Sequence, residues 1–300
     1  MGINFQKLFN DYKKPVRLSK GWVNVNCPFC KMPSDTHCNL GFSTDVPSSN
    51  CWRCGKHGWV ESLALILNVS PIEVRRIVSN YTVGTQKIIR KKSSGKNLVL
   101  PGSSTLTVGE ENYLKERGYN IPYLQKKFGI KGGGLFGEWS YRIIIPLFYN
   151  GTLVSWVGRT ILPKEFIKEN NIPRYKNLSI EASEINPKSI FFNLDNSRDK
   201  KVILVEGPFD VLKMGDNTIC SLGTSVTSQQ KLLLLQRYEK IFIAFDNEPS
   251  AQEKARKLGV ELDAVGLDVE VVNICEDFNK NDPGELTQKE VKQIKSELDI

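Results

Sequence analysis

Two Cys-x-x-Cys pairs, Cys27-Pro28-Phe29-Cys30 and Cys51-Trp52-Arg53-Cys54, stand twenty residues apart near the start of a 300-residue chain. No other feature constrains the fold so tightly. Each pair turns two thiols toward one point, and two such knuckles at this separation complete a tetrahedron around one ion. Four thiolates leave no open position, so the spacing predicts a structural Zn2+ ribbon held by Cys27, Cys30, Cys51 and Cys54. Cys38, His37 and His57 lie nearby and are the alternative ligands. Cys220 and Cys275 fall in strand-like runs and read as buried core thiols. The N-terminus has no apolar leader, and no apolar run approaches the roughly 18–20 residues of a membrane span. A cytoplasmic location, with no membrane partner, is the expectation, and cysteines there serve as metal ligands or plain thiols rather than disulfides.

The ribbon is rich in groups that suit a polyanion. Phe29, Phe42, Trp52, Arg53, Lys56, His57 and Trp59 surround the pairs. A metal-nucleated domain this small needs some of its aromatics as core, and Phe29 and Trp59 are expected to serve there. Trp52, Arg53 and Lys56 are expected to be available to stack bases and hold phosphates of a single strand. Charge runs the same way: residues 1–105 carry 15 Lys and Arg against 5 Asp and Glu, and residues 106–198 carry 13 against 9. Residues 199–300 reverse the balance, with 13 against 19. Basic surface draws a polyanion, and clustered carboxylates hold cations.

Four segments follow from pattern. Residues 1–80 hold the ribbon and the helical run "WVESLALILNVSPIEVRRIVSN", punctuated by Pro71. Residues 81–105 are rich in Lys, Ser and Gly and read as a flexible basic linker. Residues 106–198 open on a helical pattern interrupted at Gly118 and Pro122. A flexible glycine loop, "KGGGLFGEW", and two strands across Asn150-Gly151 come next, and that dipeptide signals a hairpin. From 199 to 300, strands and helices alternate with short connections, the signature of a parallel α/β sheet.

In such sheets, ligands sit beyond the C-terminal ends of the strands. Glu206 follows "KVILV", and Asp210 lies one helical turn later. Asp246 and Glu248 follow "KIFIAF", and Asp282 with Glu285 follows the last strand. Parallel strands would bring Glu206 and Asp246 out at one edge. Carboxylates so placed suit Mg2+, which keeps water and phosphate oxygens in its shell, and two such ions can clamp a phosphoryl transfer. Gly207 would let a phosphate approach the backbone. Taken singly, each acid is equally a cap or turn former.

"VILVEGPFDVLKM", "IFIAFDNEP" and "NDPGEL" resemble the three signature segments of the TOPRIM domain. The family's Glu falls on Glu206 and its acidic D-x-D on Asp246-Asn247-Glu248, with Glu in the second acidic place. "YRIIIPLFYNGTLVSWVGRT", "PRYKNLS" and "SLGTSVT" are similar to the core of DnaG-type primases, and the ribbon sits where those primases keep theirs. "EGPFD" and "FDNEP" look closest to the stand-alone primases of large tailed bacteriophages. Cys30 stands where bacterial relatives usually carry His, and with so few residues after the TOPRIM segment a bacterial helicase-docking domain is not expected.

The resemblance implies an α/β fold with an N-terminal zinc ribbon, a mixed α/β basic subdomain and a TOPRIM subdomain. It implies RNA primer synthesis on single-stranded DNA in a phage-infected bacterial cell. Glu206, Asp246 and Glu248 would bind Mg2+ or Mn2+, supported by Asp210 and Asp282. Arg142, Arg159, Arg174, Lys176, Asn177 and Lys188 would hold template and ribonucleoside triphosphates. A separate replicative helicase is the implied partner. A TOPRIM nuclease and a non-catalytic single-stranded-DNA-binding protein are the alternative readings.

Overall fold

The computed structural model describes residues 2–30, 34–44, 48–83, 98–223, 225–263 and 266–300. The expected linker falls largely outside them, at residues 84–97. The chain divides into two compact units. One comprises Met1–Ile88, Thr227–Ile241 and Arg256–Glu270; the other comprises Ile89–Val226, Phe242–Ala255 and Val271–Ile300.

The first unit opens with β1 (Gly2–Ile3) and α1 (Phe5–Asp11). A five-stranded antiparallel sheet follows in chain order: β2 (Arg17–Ser19), β3 (Trp22–Val25), β4 (Leu40–Ser43), β5 (Ser49–Cys51) and β6 (Gly55–His57). Then come α2 (Trp59–Leu67), α3 (Pro71–Ser79) and β7 (Thr82–Val83), which pairs back onto β1. The helical run that Pro71 punctuates in the sequence is thus two helices. Asn68 ends α2 in the left-handed region at φ 57°, and Ser70 caps α3 with Pro71 in its first turn. Phe42 packs 5.0 Å from Phe5 and 5.2 Å from Phe9, and Trp59 meets Phe5 edge-on. Trp59, 1% exposed, is core as expected.

The second unit begins with α4 (Val108–Glu116) and α5 (Ile121–Phe128), separated at Gly118 and started afresh by the Asn120 cap. An antiparallel sheet in the order β11-β10-β9-β8 follows. Its strands are β8 (Lys131–Gly132), β9 (Arg142–Tyr149), β10 (Thr152–Thr160) and β11 (Tyr175–Asn177), with α6 (Lys164–Glu169) before β11. Asn150 and Gly151 both have positive φ, 50° and 71°, which matches the right-handed twist of the β9–β10 hairpin. Their backbone N–H groups donate to the Asp195 carboxylate at 2.9 and 2.8 Å.

The expected flexible glycine loop is tied down. Gly133 N donates to Arg142 O at 2.7 Å, and Gly134 N donates to Glu110 Oε1 at 2.9 Å. Glu110 is fully buried and also completes the Thr107 capping box of α4. Trp139 then packs against Trp156, with ring centroids 5.8 Å apart.

The last sheet has the order β13-β12-β14-β15 and the alternating helices the sequence predicts. It comprises β12 (Lys201–Val205), α7 (Pro208–Met214), β13 (Thr218–Cys220), α8 (Ser228–Arg237), β14 (Lys240–Ile243), α9 (Pro249–Asp263), β15 (Asp268–Val271) and α10 (Gln288–Glu297). β12 and β13 pair in parallel, and β12 is buried over four of its five residues, as a strand covered on both faces must be. Cys220 and Cys275 are buried thiols. Within the first unit, α8 touches α3, and the turn at Gly266 lies against Val60 of α2. No helix among the described residues is long and apolar enough to cross a membrane.

Candidate functional site

The ribbon brings its four sulfurs within 4.8 Å of one another. Cys27 and Cys54 are 3.6 Å apart, Cys30 and Cys51 are 3.7 Å apart, and Cys30 and Cys54 are 3.5 Å apart. Sulfurs about 2.3 Å from one tetrahedral ion stand about 3.8 Å apart, so the donor set fits a tetrahedral metal. Cys38 points elsewhere, its thiol donating to Asn26 Oδ1 at 3.4 Å. His57 Nε2 lies 3.1 Å from Cys54 Sγ, and its ring stacks on Phe29 at 3.9 Å, which places both beside the cluster.

Asp35 organises the loop before β4. Its carboxylate accepts from the backbone N–H groups of Cys27, His37 and Asn39 and from the Asn39 side chain, all at 2.7–2.9 Å. Burial works to raise its carboxyl, but these four donors prevail and hold it below the usual range. On the sheet, Trp52 is 57% exposed and meets the Trp22 ring edge-on at 5.3 Å. Arg53 and Lys56 are exposed as well. Trp22 makes this an aromatic pair, which the run around the cysteines alone did not disclose.

In the second unit, the acids gather where the sheet ends. β12 and β14 are neighbours, and Ala244 N donates to Leu204 O at 2.9 Å, so Glu206 and Asp246 leave adjacent strands. Gln252 Nε2 donates to the carbonyls of Phe245 and Asp246 and pins the acidic turn to α9. Asp210 accepts the Gly207 N–H at 2.9 Å as the N-terminal brace of α7, so that amide is already engaged. A Cβ placed on Gly284 would lie 2.8 Å from Asp282 Oδ1, 3.3 Å from Asp210 Oδ1 and 3.5 Å from the Tyr119 hydroxyl. Three oxygens therefore converge beside a residue that has no side chain. Tyr119 itself donates to Phe209 O at 2.9 Å.

Electrostatics tie the acids into one group. Burial pushes the Asp246 carboxyl up to about 7, and the charges of Glu206, Asp282 and Glu248 add to it while Arg174 opposes. Burial also raises Glu206, which Lys254 opposes and Glu248 reinforces. Asp210 is raised well above its ordinary value by burial, then by Asp246 and Asp282. Asp282 is raised by burial and Glu285, against Arg117 and Arg159. Glu206 Oε1 and Asp246 Oδ1 are buried and have no hydrogen-bond partner among the described residues. Unpaired buried carboxylate oxygens that repel one another suit hard divalent cations. Their oxygens are not drawn as close together as the ribbon sulfurs.

The expected cationic residues divide. Arg174 is exposed and acts on Asp246. Arg159 is half-buried among rings: its Nε donates to the Tyr113 hydroxyl at 3.1 Å, and its guanidinium lies 4.8 Å from the Tyr175 ring and 5.4 Å from Phe209. Lys176 pairs with Glu138 at 2.9 Å and sits over the Trp139 ring. Asn177 and Lys188 are exposed. Arg142, expected at the nucleotide, is only 6% exposed, and its Nη1 donates to the carbonyls of Gly158 and Pro173. It braces the β9–β10–β11 sheet from inside. Arg117 and Lys254 join the acid edge without having been singled out in the sequence. Their signal was position, Arg117 in the α4–α5 turn and Lys254 in the second turn after the acidic segment.

A family model of Toprim-like proteins matches residues 203–287, the span of this sheet and its acids. The chain is 25% identical over 192 residues to a DNA primase of Clostridium acetobutylicum, covering 61% of this chain and 30% of that protein. It is 31% identical over 172 residues to the uncharacterized protein MG010 of Mycoplasma genitalium, covering 54% of this chain and 73% of that protein. The chain belongs to the DnaG-type TOPRIM primase family. Among solved structures, the zinc-binding and RNA polymerase domains of the Aquifex aeolicus primase share its fold, with a TM-score of 0.54 and 18% identity over 99% of this chain and 83% of that one. The primase-family chain spans about a third of the length of the bacterial DNA primases it matches first.

Proposed function

We propose that this chain makes short RNA primers on a single-stranded DNA template by nucleotidyl transfer at the acid edge. The observation that carries the reading is the pair of buried, unpartnered oxygens, Glu206 Oε1 and Asp246 Oδ1, leaving neighbouring strands. The DNA primases among its relatives support the choice of reaction. Glu206, Asp246 and Glu248 would hold Mg2+ or Mn2+, which would supply charge neutralisation at the triphosphate and activation of the attacking 3′-hydroxyl.

The chain's own groups do the rest. Asp210 fixes the start of α7 through the Gly207 N–H, and its carboxyl converges with that of Asp282 beside Gly284. Arg174 faces Asp246 from an exposed position and is suited to the triphosphate. Arg159, held by three rings, sets the charge seen by Asp282. Lys176, Asn177 and Lys188 serve the template backbone. Cys27, Cys30, Cys51 and Cys54 would hold Zn2+, which would fix the ribbon that presents Trp52, Arg53 and Lys56 to the template. The working division is a ribbon over 1–80, a linker over 81–105, a basic subdomain over 106–198 and a TOPRIM subdomain over 199–300. A separate helicase is the proposed partner.

The test mixes the protein with single-stranded DNA, ribonucleoside triphosphates and Mg2+ or Mn2+, and looks for oligoribonucleotides. Glu206→Gln is expected to abolish product while keeping fold and DNA binding. Full activity in that variant overturns the reading, and metal-dependent DNA cleavage without nucleotides replaces it with a nuclease.

A further inference from the structure

Asn273 lies two residues past the end of β15, as Glu206 and Asp246 lie just past β12 and β14. Like those two acids, it carries a buried side-chain oxygen with no hydrogen-bond partner among the described residues, Oδ1. Three adjacent strands therefore each end in an unpaired acceptor.

The amide of Asn273 cannot turn round to relieve this. Its nitrogen donates to Asn247 Oδ1 at 2.7 Å and to Glu276 Oε2 at 3.0 Å. Reversing the amide would set its oxygen against two acceptors, so the network fixes which atom faces where. Asn247 is in turn held by its backbone N–H to Asn281 O at 2.7 Å, next to Asp282. Asn273 is thus joined by one hydrogen bond to the Asp246–Glu248 turn and by that turn to the segment bearing Asp282. A carboxylate at Glu276 on the nitrogen side polarises the amide and strengthens Oδ1 as an acceptor.

A buried acceptor of this kind is costly until a donor reaches it. The two carboxylates in the row suit cations. The neutral amide suits a hydroxyl; the sugar of a ribonucleotide offers two, at 2′ and 3′, and only the 2′-hydroxyl distinguishes it from a deoxyribonucleotide. The geometry points to Asn273 as a sugar-reading residue: its Oδ1 accepts the 2′-hydroxyl of the bound nucleotide and favours ribonucleotides over deoxyribonucleotides. This rests on the reading of the acid edge as a nucleotidyl-transfer site. A site built to accept a hydroxyl rejects the analogue lacking it, because its own polar atom is then left unpaired.

The test measures binding of ATP and of 2′-deoxy-ATP in the presence of Mg2+ by isothermal titration, with primer synthesis from each as a second readout. The full chain, Asn273→Ala and Asn273→Ser are compared. The unaltered protein is expected to prefer ATP, and Asn273→Ala is expected to lose on the order of tenfold of that preference, mainly through weaker ATP binding. Asn273→Ser, which keeps a small acceptor, is expected to fall between the two. An unchanged ratio in both variants overturns the inference while primer synthesis stands. An equal loss for both nucleotides, recovered at higher Mg2+, also overturns it and assigns Oδ1 to the hydration shell of a cation. Should the unaltered protein bind neither nucleotide and make no primer, the reading of the acid edge fails, and the inference with it.

Discussion

With its carboxyl pushed up to about 7 by burial and by three neighbouring acids, Asp246 keeps its proton in the range where the divalent cation proposed for it would have to displace that proton. In the metal-free protein the folded form binds this proton more tightly than the unfolded chain, whose Asp titrates near 3.9. The folded state therefore holds more protons between about pH 4 and 7, and Asp246 contributes less stability as pH rises through that window. Cation binding has the opposite dependence. Affinity for Mn2+ is expected to fall by up to about tenfold for each pH unit below 7 and to level off above it, since one proton is released per ion bound. Titration calorimetry from pH 5.5 to 8.5 measures this directly. Asp246→Asn should bind weakly at every pH with most of the slope gone, and an unaltered slope would assign the proton to another group.

Single residues were legible in the sequence where strand ends announce them, as at Glu206 and Asp246. Asp35, Glu110 and Asn273 were not. Each owes its role to donors or acceptors supplied by other segments, and nothing in the local pattern marks them. Arg142 shows the converse. It looks like any basic residue beside a strand, yet the sheet needs its guanidinium to satisfy two carbonyls.

At the scale of elements, two glycines separate structural from chemical constraint. A Cβ on Gly133 would stand 1.9 Å from Trp139 O, a backbone atom that cannot swing aside. Gly133→Ala must push apart the loop that Glu110 and Trp139 brace, and a loss of roughly 2–4 kcal/mol in urea unfolding is expected. At Gly284 the nearest atoms are side-chain oxygens of Asp282 and Asp210. Those can move, so Gly284→Ala should cost little stability but displace the acids, with primer synthesis reduced at least tenfold if each acid's placement matters as positioned groups usually do. Equal stability losses in the two variants would contradict this distinction.

Elements as such were readable, because period, caps and turn residues agree along most of the chain. Asn150-Gly151 gave the hairpin, and the breaks read at Pro71 and Pro122 fall in the first turns of α3 and α5. The glycine loop misled, since four glycines suggest slack chain. Here they permit a close approach that hydrogen bonds then lock.

For the whole molecule, chain order and packing diverge. The segment after residue 199 reads as one alternating domain, yet α8 and the later part of α9 group with the ribbon, through α3 against α8 and Gly266 against Val60. Contacts between segments distant in sequence report this, and periodicity is silent about them. A consequence follows for metal removal. A small ribbon owes much of its folding free energy to its ion, so chelation should unfold β2 to β6. Because α8 and residues 256–263 pack in the same unit, their amides should lose hydrogen-exchange protection together with the ribbon. Amides of β12 and α7, in the other unit, should stay protected. Exchange measured by mass spectrometry with and without a strong Zn2+ chelator distinguishes the outcomes. If deprotection stops at residue 83 and leaves residues 228–237 untouched, the ribbon is an independent module, and its packing on α8 contributes little to holding that helix.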